Sequence, residues 1–454
     1  MDVAQSDTEA LLAVEAELDQ RWPETRIEPS LTRIAALVDL LGSPQHSYPV
    51  LHIAGTNGKT SVARMLDALL TRIGLRVGRY TSPHLQQVTE RISVDGAPIS
   101  PQRYVEAYQD IAASVALVDG GSQTAMSKFE VLTAMAFATF ADAPVDVAVV
   151  EVGLGGSWDA TNVADAAVAA ITPIALDHLD YLGDDIGGIA KEKAGIIKPG
   201  SVAVLAEQPP AAAKVILARS VEVDAAVARE GMEFGVLHRD VAVGGQQLKL
   251  QGLGGVYDEV FLPLHGAHQA RNAALALATA EAFFGVGIGR SLDVDAVRDG
   301  FAAVSAPGRL ERVHTAPSIF LDSAHNPHGA RALAAALHEE FAFRRLVAVV
   351  GVLRDKDARG ILAELEPVVD EVVITANISP RAMDVDELAM VAQEVLGEDR
   401  LQVQPRLPEA IKAAVASVKE VDTGGDYISG TGVVITGSVV TAGEARTLLG
   451  REPQ

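Results

Sequence analysis

The segment Gly55-Thr56-Asn57-Gly58-Lys59-Thr60-Ser61 sets two glycines, a lysine and two hydroxyls between an apolar run and an amphipathic one. Glycines let a backbone close around phosphate oxygens, and N–H groups at a helix start form an anion site. A lysine then reaches the outer phosphates and a following hydroxyl can hold Mg²⁺. Only Thr56 and Asn57 separate Gly55 from Gly58, so this is a shortened variant of the usual phosphate loop. A ligand-free turn from strand to helix needs the glycines but not the lysine and hydroxyls. Glu151 ends a second apolar run, just before Gly153. A carboxylate there points out of the carboxyl edge of a sheet, where α/β ligands bind. With one hydroxyl and nucleotide oxygens it suffices for Mg²⁺; the plain alternative is a helix cap or a surface acid.

Other polar groups also have plain structural readings. His178 in Asp177-His178-Leu179-Asp180 reads as a structural histidine when taken alone. Lys193, beside Lys191 and Glu192, has the pattern of a solvated helical charge pair. Asp322 and His325 flank the end of a short strand, and could form a hydrogen-bonded cap for the helix after Pro327. Arg309 follows the Pro307-Gly308 break, and Lys356 sits in a polar loop with Asp355 and Asp357.

These groups need a frame. Val50–Ala54 reads as a buried strand, and residues 60–73 have helical spacing with Val62, Met65, Leu66 and Leu69 on one face. Residues 145–152 and 168–174 are further buried strands. Residues 265–284 form an Ala-rich helix. After Pro307-Gly308 comes a second series: strand 319–321, helix 330–341, strand 346–352, strand 371–375, helix Val385–Leu396, strand 433–436 and a last helix. The pattern predicts an α/β protein: an N-terminal P-loop ATPase-type domain with a mainly parallel sheet, residues 1–306, and a smaller C-terminal doubly wound α/β domain, residues 307–454.

The 454 residues exceed one hydrophobic core. A formal charge of −23 argues against binding nucleic acid, which requires Lys and Arg against phosphates. There is no cysteine, so disulfides and thiolate metal sites are excluded. Residues 1–20 are acidic and helical in pattern, without the basic start and apolar stretch of a signal peptide. No uncharged apolar run reaches the ~18 residues of a spanning helix. The expectation is a cytoplasmic protein with small-molecule partners and neither membrane nor nucleic acid among them.

The shortened loop resembles that of the Mur ligase superfamily, in particular its dihydrofolate synthase/folylpolyglutamate synthase family. Further motifs are similar to that family's signatures. They include Thr81-Ser82-Pro83-His84-Leu85, Glu90-Arg91-Ile92, Ser127-Lys128-Phe129-Glu130 and Glu151-Val152-Gly153-Leu154-Gly155-Gly156. Asp159-Ala160-Thr161-Asn162, Glu192-Lys193-Ala194-Gly195 and His268-Gln269 before Asn272-Ala273 follow in order. Pro307-Gly308-Arg309-Leu310-Glu311, Asp322-Ser323-Ala324-His325-Asn326-Pro327 and Gly437-Ser438 continue it, so the likeness spans residues 31–449.

The resemblance implies an ATP-dependent amide ligase. It would add L-glutamate to dihydropteroate, to reduced folates, or to both, through an acyl phosphate. ATP would lie on Gly55, Thr56, Asn57, Gly58, Lys59, Thr60 and Ser61, with Asn272, Arg309 and Asp322 across the cleft. Mg²⁺, as two ions, would use Ser61, Glu151 and His178, with K⁺ as an optional further ion. Lys59, Lys193 and His325 would be catalytic, Lys193 as a carbamate. That modification requires an amine made neutral by burial or cationic neighbours. The folate side would be Ser82, Pro83, His84, Ser127, Phe129 and Asp159, although Phe129 reads equally well as core. Lys356 would assist phosphate or glutamate binding, and the family suggests a monomer. One position departs: the family usually carries arginine where this chain has Ser157. Three other readings stay open: a cell-wall Mur ligase, a different P-loop NTPase, and an ATP-binding module without chemistry.

Overall fold

The protein, a computed structural model, is described over residues 3–22, 28–177, 179–183, 185–287, 289–420 and 430–454. Strands β1 (Val50–Ala54), β2 (Val77–Tyr80), β3 (Ile92–Val94), β4 (Ala97–Pro98), β5 (Val147–Glu151), β6 (Ala166–Ile171), β7 (Val202–Leu205) and β8 (Ala226–Arg229) make the first sheet. Their order is β4-β3-β2-β5-β1-β6-β7-β8. From β2 to β8 the strands are parallel, with β3 and β4 added antiparallel at one edge. Residues along β1 and β5 are buried throughout, because helices cover both faces of the sheet. Val50, Ala148 and Val150 lie under helices Thr32–Leu40, Pro101–Gly121 and Lys128–Asp142. Ala169, Ile171 and Ala203, on the same face, meet helices Ile186–Ala194 and Pro210–Glu222. Leu51, Ile53, Val149 and Val168 face the other way, toward helices Lys59–Ile73 and Ala267–Phe283. Met65, Leu66 and Leu69 are wholly buried in that layer, each stabilising it by roughly 1.5–3 kcal/mol.

The sequence pattern suggests a mainly parallel sheet here, and the structure adds a separate antiparallel meander. Strands β9 (Gly235–Ala242), β10 (Gly245–Gln251) and β11 (Val256–Leu262) pair in the order β11-β10-β9. Leu248, Leu250, Tyr257 and Val260 join the core on the Lys59–Ile73 side. The turn at Val243-Gly244, with Gly244 at φ +79, is the local signal that marks the hairpin.

The third sheet holds β12 (Glu311–Thr315), β13 (Ser318–Leu321), β14 (Arg345–Val350), β15 (Glu371–Ala376), β16 (Leu401–Arg406) and β17 (Thr431–Thr436). Its order is β12-β13-β17-β14-β15-β16, parallel except for the β12–β13 hairpin. Helices Pro327–Glu340, Ala358–Leu365 and Val385–Leu396 cover one face. Leu407–Glu420 and Val439–Leu448 cover the other, so the sheet is doubly wound, as the sequence pattern predicted. No apolar cluster among the described residues runs from the first two sheets into the third. No described helix is long and apolar enough to cross a membrane.

Candidate functional site

The phosphate loop leaves β1 at its carboxyl end. Gly55 has φ +143, and a Cβ there would stand 1.8 Å from Thr172 Oγ1, so only glycine fits. Gly58, at φ +97, lies against Asn272, and Lys59 opens the next helix. The loop is tied to the chain after β6: Thr56 N–H donates to Pro173 O (3.1 Å), and Thr56 Oγ1 bonds both backbone groups of Ala175. Lys59 Nζ donates to the carbonyls of Gly55 (3.1 Å) and Thr56 (3.3 Å), which holds its charge in the mouth of the loop. The two hydroxyls divide. Thr60 Oγ1 donates to Glu151 Oε1 (3.0 Å), whereas Ser61 Oγ accepts from Gln269 Nε2 (3.3 Å). Gln269 Oε1 in turn accepts from Asn272 Nδ2 (3.1 Å). Ser61 is the hydroxyl expected to face a metal, and Thr60 is the one that touches Glu151 in the structure.

Glu151 is the last residue of β5 and only 2% exposed. Its Oε2 is buried without a hydrogen-bond partner. Burial pushes its pKa up, while Lys59 and the Thr60 hydroxyl pull against that. An orphaned carboxylate oxygen beside hydroxyls and a phosphate loop is a donor set suited to a hard divalent cation. His178, the other expected ligand, lies outside the described residues. Among the described residues no three acidic or histidine side chains converge as a metal group.

Lys193 does not sit on a solvated helical face. It is 4% exposed, and its Nζ donates to Gly55 O (2.8 Å), directly beneath the phosphate loop. Burial first, and then the charge of Lys59, lower its pKa to about 7, with Asp177 and Asp159 acting the other way. About half of such amines are neutral at neutral pH. Ser157 closes the end of the same helix: its N–H (2.9 Å) and Oγ (3.1 Å) both donate to Glu192 O. Glu192 Oε2 nearby is buried and unpartnered.

The third sheet supplies the facing wall. Asn326 caps helix Pro327–Glu340 by accepting from Gly329 N–H (2.8 Å). Its amide also pairs reciprocally with that of Asn57, at 3.1 Å in each direction. His328 Nδ1 lies 2.9 Å from Asn57 Nδ2. Asp177, from the first domain, accepts from Asn326 Nδ2 (2.9 Å) and Lys356 Nζ (2.7 Å), and His325 Nε2 is 3.6 Å away. Asp322 accepts from the N–H groups of Leu310 and Ala324 (both 2.8 Å). Burial raises its pKa, opposed by Arg309. His325 is therefore not a partner of Asp322 in a local cap. The sequence reading gave no role to Asn326, His328, Gln269 or Asp177. An asparagine directly before a proline is the local signal that would have found the cap, but nothing local foretells its pairing with Asn57.

The 55–61 loop, Glu151, Lys193, Asn272, Arg309, Asp322 and His325 line one cavity of about 1420 Å³, together with Ser82 and Pro83. Four of the expected folate-side residues are not part of that wall. His84 is half-buried, Arg91 Nε donates to its Nδ1 (3.0 Å), and desolvation with the charge of Arg91 lowers its pKa to about 3. Ser127 caps helix Lys128–Asp142 in a reciprocal box with Glu130. Phe129 packs beneath Gly153, its ring centroid 6.0 Å from that of Tyr80. Both oxygens of Asp159 are engaged by Leu154 N–H (2.9 Å), Thr161 N–H (3.0 Å) and Thr161 Oγ1 (2.5 Å). Here Asp159 shapes the loop that follows Glu151.

Two family models match: the Mur ligase middle domain over residues 53–280 and the Mur ligase glutamate ligase domain over residues 308–438. The dihydrofolate synthase/folylpolyglutamate synthase of Mycobacterium tuberculosis (strain ATCC 25618 / H37Rv) is 64% identical over 462 residues, covering 98% of this chain and 95% of the relative. This chain belongs to the dihydrofolate synthase/folylpolyglutamate synthase family of Mur ligases. The crystal structure of Mycobacterium tuberculosis folylpolyglutamate synthase complexed with ADP and AMPPCP aligns with a TM-score of 0.94 at 62% identity, over 99% of this chain and all (100%) of that one. E. coli FolC in complex with DHPP and ADP aligns with a TM-score of 0.84 at 32% identity, over 97% of each chain. As a Mur-type ligase, the chain carries its phosphate loop, Glu151, Lys193 and Asn272 within the middle-domain match. Arg309, Asp322, His325 and Asn326 fall within the glutamate ligase match.

Proposed function

We propose that this chain uses ATP to join L-glutamate to the carboxylate of dihydropteroate and of reduced folates, releasing ADP and phosphate. The observation that carries this reading is the shared cavity. A phosphate loop with a buried lysine and an unpaired carboxylate oxygen faces Asn326, His325 and Lys356 from the glutamate ligase half. We assign residues 1–306 to ATP and folate binding and residues 307–454 to glutamate, in a cytoplasmic monomer.

A carboxylate is a poor electrophile toward amines. Its oxygen attacks the γ-phosphorus, the bond to the ADP oxygen breaks, and an acyl phosphate forms. The glutamate amine then attacks the acyl carbon and loses a proton, and phosphate leaves from the tetrahedral intermediate. Two anions meet in the first step, and Lys59 in the loop mouth offsets their repulsion. Mg²⁺ would be held by Glu151 Oε2 with the hydroxyl of Ser61 or Thr60, and by His178, and would supply further positive charge against the phosphates. K⁺ is a further ion in this scheme. Asn272, Arg309 and Asp322 hold the nucleotide across the cleft, and His325 orients the phosphate or the glutamate. Lys193, buried and only weakly basic, is suited to add CO₂ on Nζ with loss of a proton, and the resulting anionic carbamate would help hold the metal and is no nucleophile. The acceptor enters beside Ser82 and Pro83, with His84, Ser127, Phe129 and Asp159 shaping that side from behind. Closure of the halves keeps water from the acyl phosphate.

The test is phosphate release from MgATP with L-glutamate, comparing dihydropteroate, a tetrahydrofolate and no acceptor. Release that needs both glutamate and dihydropteroate establishes the synthase step, and release with tetrahydrofolate adds polyglutamylation. No acceptor-dependent release, from protein that binds ATP, would end the ligase reading.

A further inference from the structure

Glu340 is the last residue of helix Pro327–Glu340, and its side chain is wholly buried at 0% exposure. Its Oε1 accepts from Gly266 N–H (2.6 Å) and from Arg239, and its Oε2 lies 2.8 Å from His265 Nδ1. All three partners come from the other half of the molecule. Arg239 is itself held, its Nε donating to Gln246 Oε1 (2.6 Å). The Gln246 Nε2 donates to the carbonyls of Leu264 (2.8 Å) and Gly266 (3.1 Å). A buried carboxylate is costly unless its lone pairs are matched, and here they are. Burial pushes the Glu340 pKa up, but the bonds from His265 and Gly266 and the charge of Arg239 hold it below the ordinary range.

The two elements that Glu340 joins both end at the nucleotide loop. Gly266 stands at the start of helix Ala267–Phe283, which brings Gln269 to Ser61 and Asn272 to Gly58. The opposite end of Glu340's own helix brings Asn326 and His328 to Asn57. That helix has 14 residues, a rod of about 21 Å at ~1.5 Å per residue. We infer that Glu340 is a positioning residue for catalysis: it pins the start of one helix to the end of the other, fixing the directions from which both address the nucleotide loop. The inference rests on reading the 55–61 loop as the ATP site.

Sites this far apart that act only through overall stability add in a double variant. Binding of Mg²⁺ and a non-hydrolysable ATP analogue is measured by calorimetry on the full chain, for wild type, Glu340→Gln, Asn57→Ala and the double variant. Glu340→Gln is expected to weaken binding roughly tenfold, the scale of a lost charged hydrogen bond. In the Asn57→Ala background, where the rod's far end no longer touches the nucleotide loop and stays tied to the first half through Asp177, the same change is expected to cost less than about threefold. Equal losses in both backgrounds, or no loss from Glu340→Gln, overturn the inference. Should Glu340→Gln not fold, Arg239→Gln is judged by the same criteria. Binding is read without acceptor or glutamate, so a wild type that binds nucleotide but releases no phosphate sinks the ligase reading alone. A wild type that binds no nucleotide overturns both.

Discussion

Replacing Lys193 by methionine turns its buried amine into a pH-dependent stability difference that can be worked out beforehand. The side chain is similar in length, but the titrating group is gone. In the folded chain the amine has a pKa of about 7 against the ordinary lysine value of 10.5. Below pH 7 both folded and unfolded chains hold the proton, and the folded state bears the whole cost of burying it. Above pH 7 the folded chain releases the proton while the unfolded chain keeps it, so stability rises with pH until about pH 10.5. Between pH 6.5 and 8.5 the wild type should gain about 2 kcal/mol relative to Lys193→Met, from 1.36 kcal/mol per unit of differential titration. Urea unfolding of both proteins in CO₂-free buffer at the two pH values gives the number. Adding bicarbonate at pH 8.5 should stabilise the wild type further and leave the variant unchanged, since only the wild type offers CO₂ this buried, mostly neutral amine. A difference that stays flat from pH 6.5 to 8.5 would refute the claim that the amine is buried and weakly basic, and with it the physical case for the carbamate.

Glu151→Gln should cut acceptor-dependent turnover by on the order of 10²-fold, read as phosphate release across a Mg²⁺ titration. The same variant should raise the thermal midpoint of the metal-free protein, because it removes a buried charge with an unpaired oxygen. Gly55→Ala should destabilise by about 3 kcal/mol or prevent folding, since its Cβ would stand 1.8 Å from Thr172 Oγ1 at φ +143; thermal unfolding decides. Ser157→Arg should place a cation near the unpartnered Glu192 Oε2 and lower the acceptor KM about threefold with kcat little changed; an unchanged or higher KM would show that the serine is no deficit in this chain.

Strand Val50–Ala54 and helix Val385–Leu396 were legible to the residue, because one is a continuous apolar run and the other keeps a strict helical period between caps. The position of Glu151 followed from the same logic: a charge at the end of a buried run has to be at the sheet edge. Strands β9 and β11 were not legible, because nearly half their residues are exposed and their alternation is irregular. The burial of Lys193 was hidden by its neighbours. Lys191 and Glu192 are the polar face of a short helix, and one residue further round the side chain turns inward to Gly55. The Asn57–Asn326 pair joins residues 269 positions apart, and no local pattern carries that information.

The separate apolar cores of the two halves have a thermal consequence. The bridges between the nucleotide loop and the glutamate ligase half are polar: an amide pair, an imidazole, and a carboxylate with an ammonium. Parting them there trades hydrogen bonds within the protein for hydrogen bonds to water and bares little hydrocarbon. Such an opening lacks the large positive heat-capacity change of core unfolding, because that change comes from apolar surface exposed. The free energy of parting the cleft therefore changes almost linearly with temperature, without the curvature that core unfolding shows. Curvature with temperature then belongs to steps that bury apolar surface, such as seating an aromatic ring of the acceptor, and not to the parting of these polar bridges.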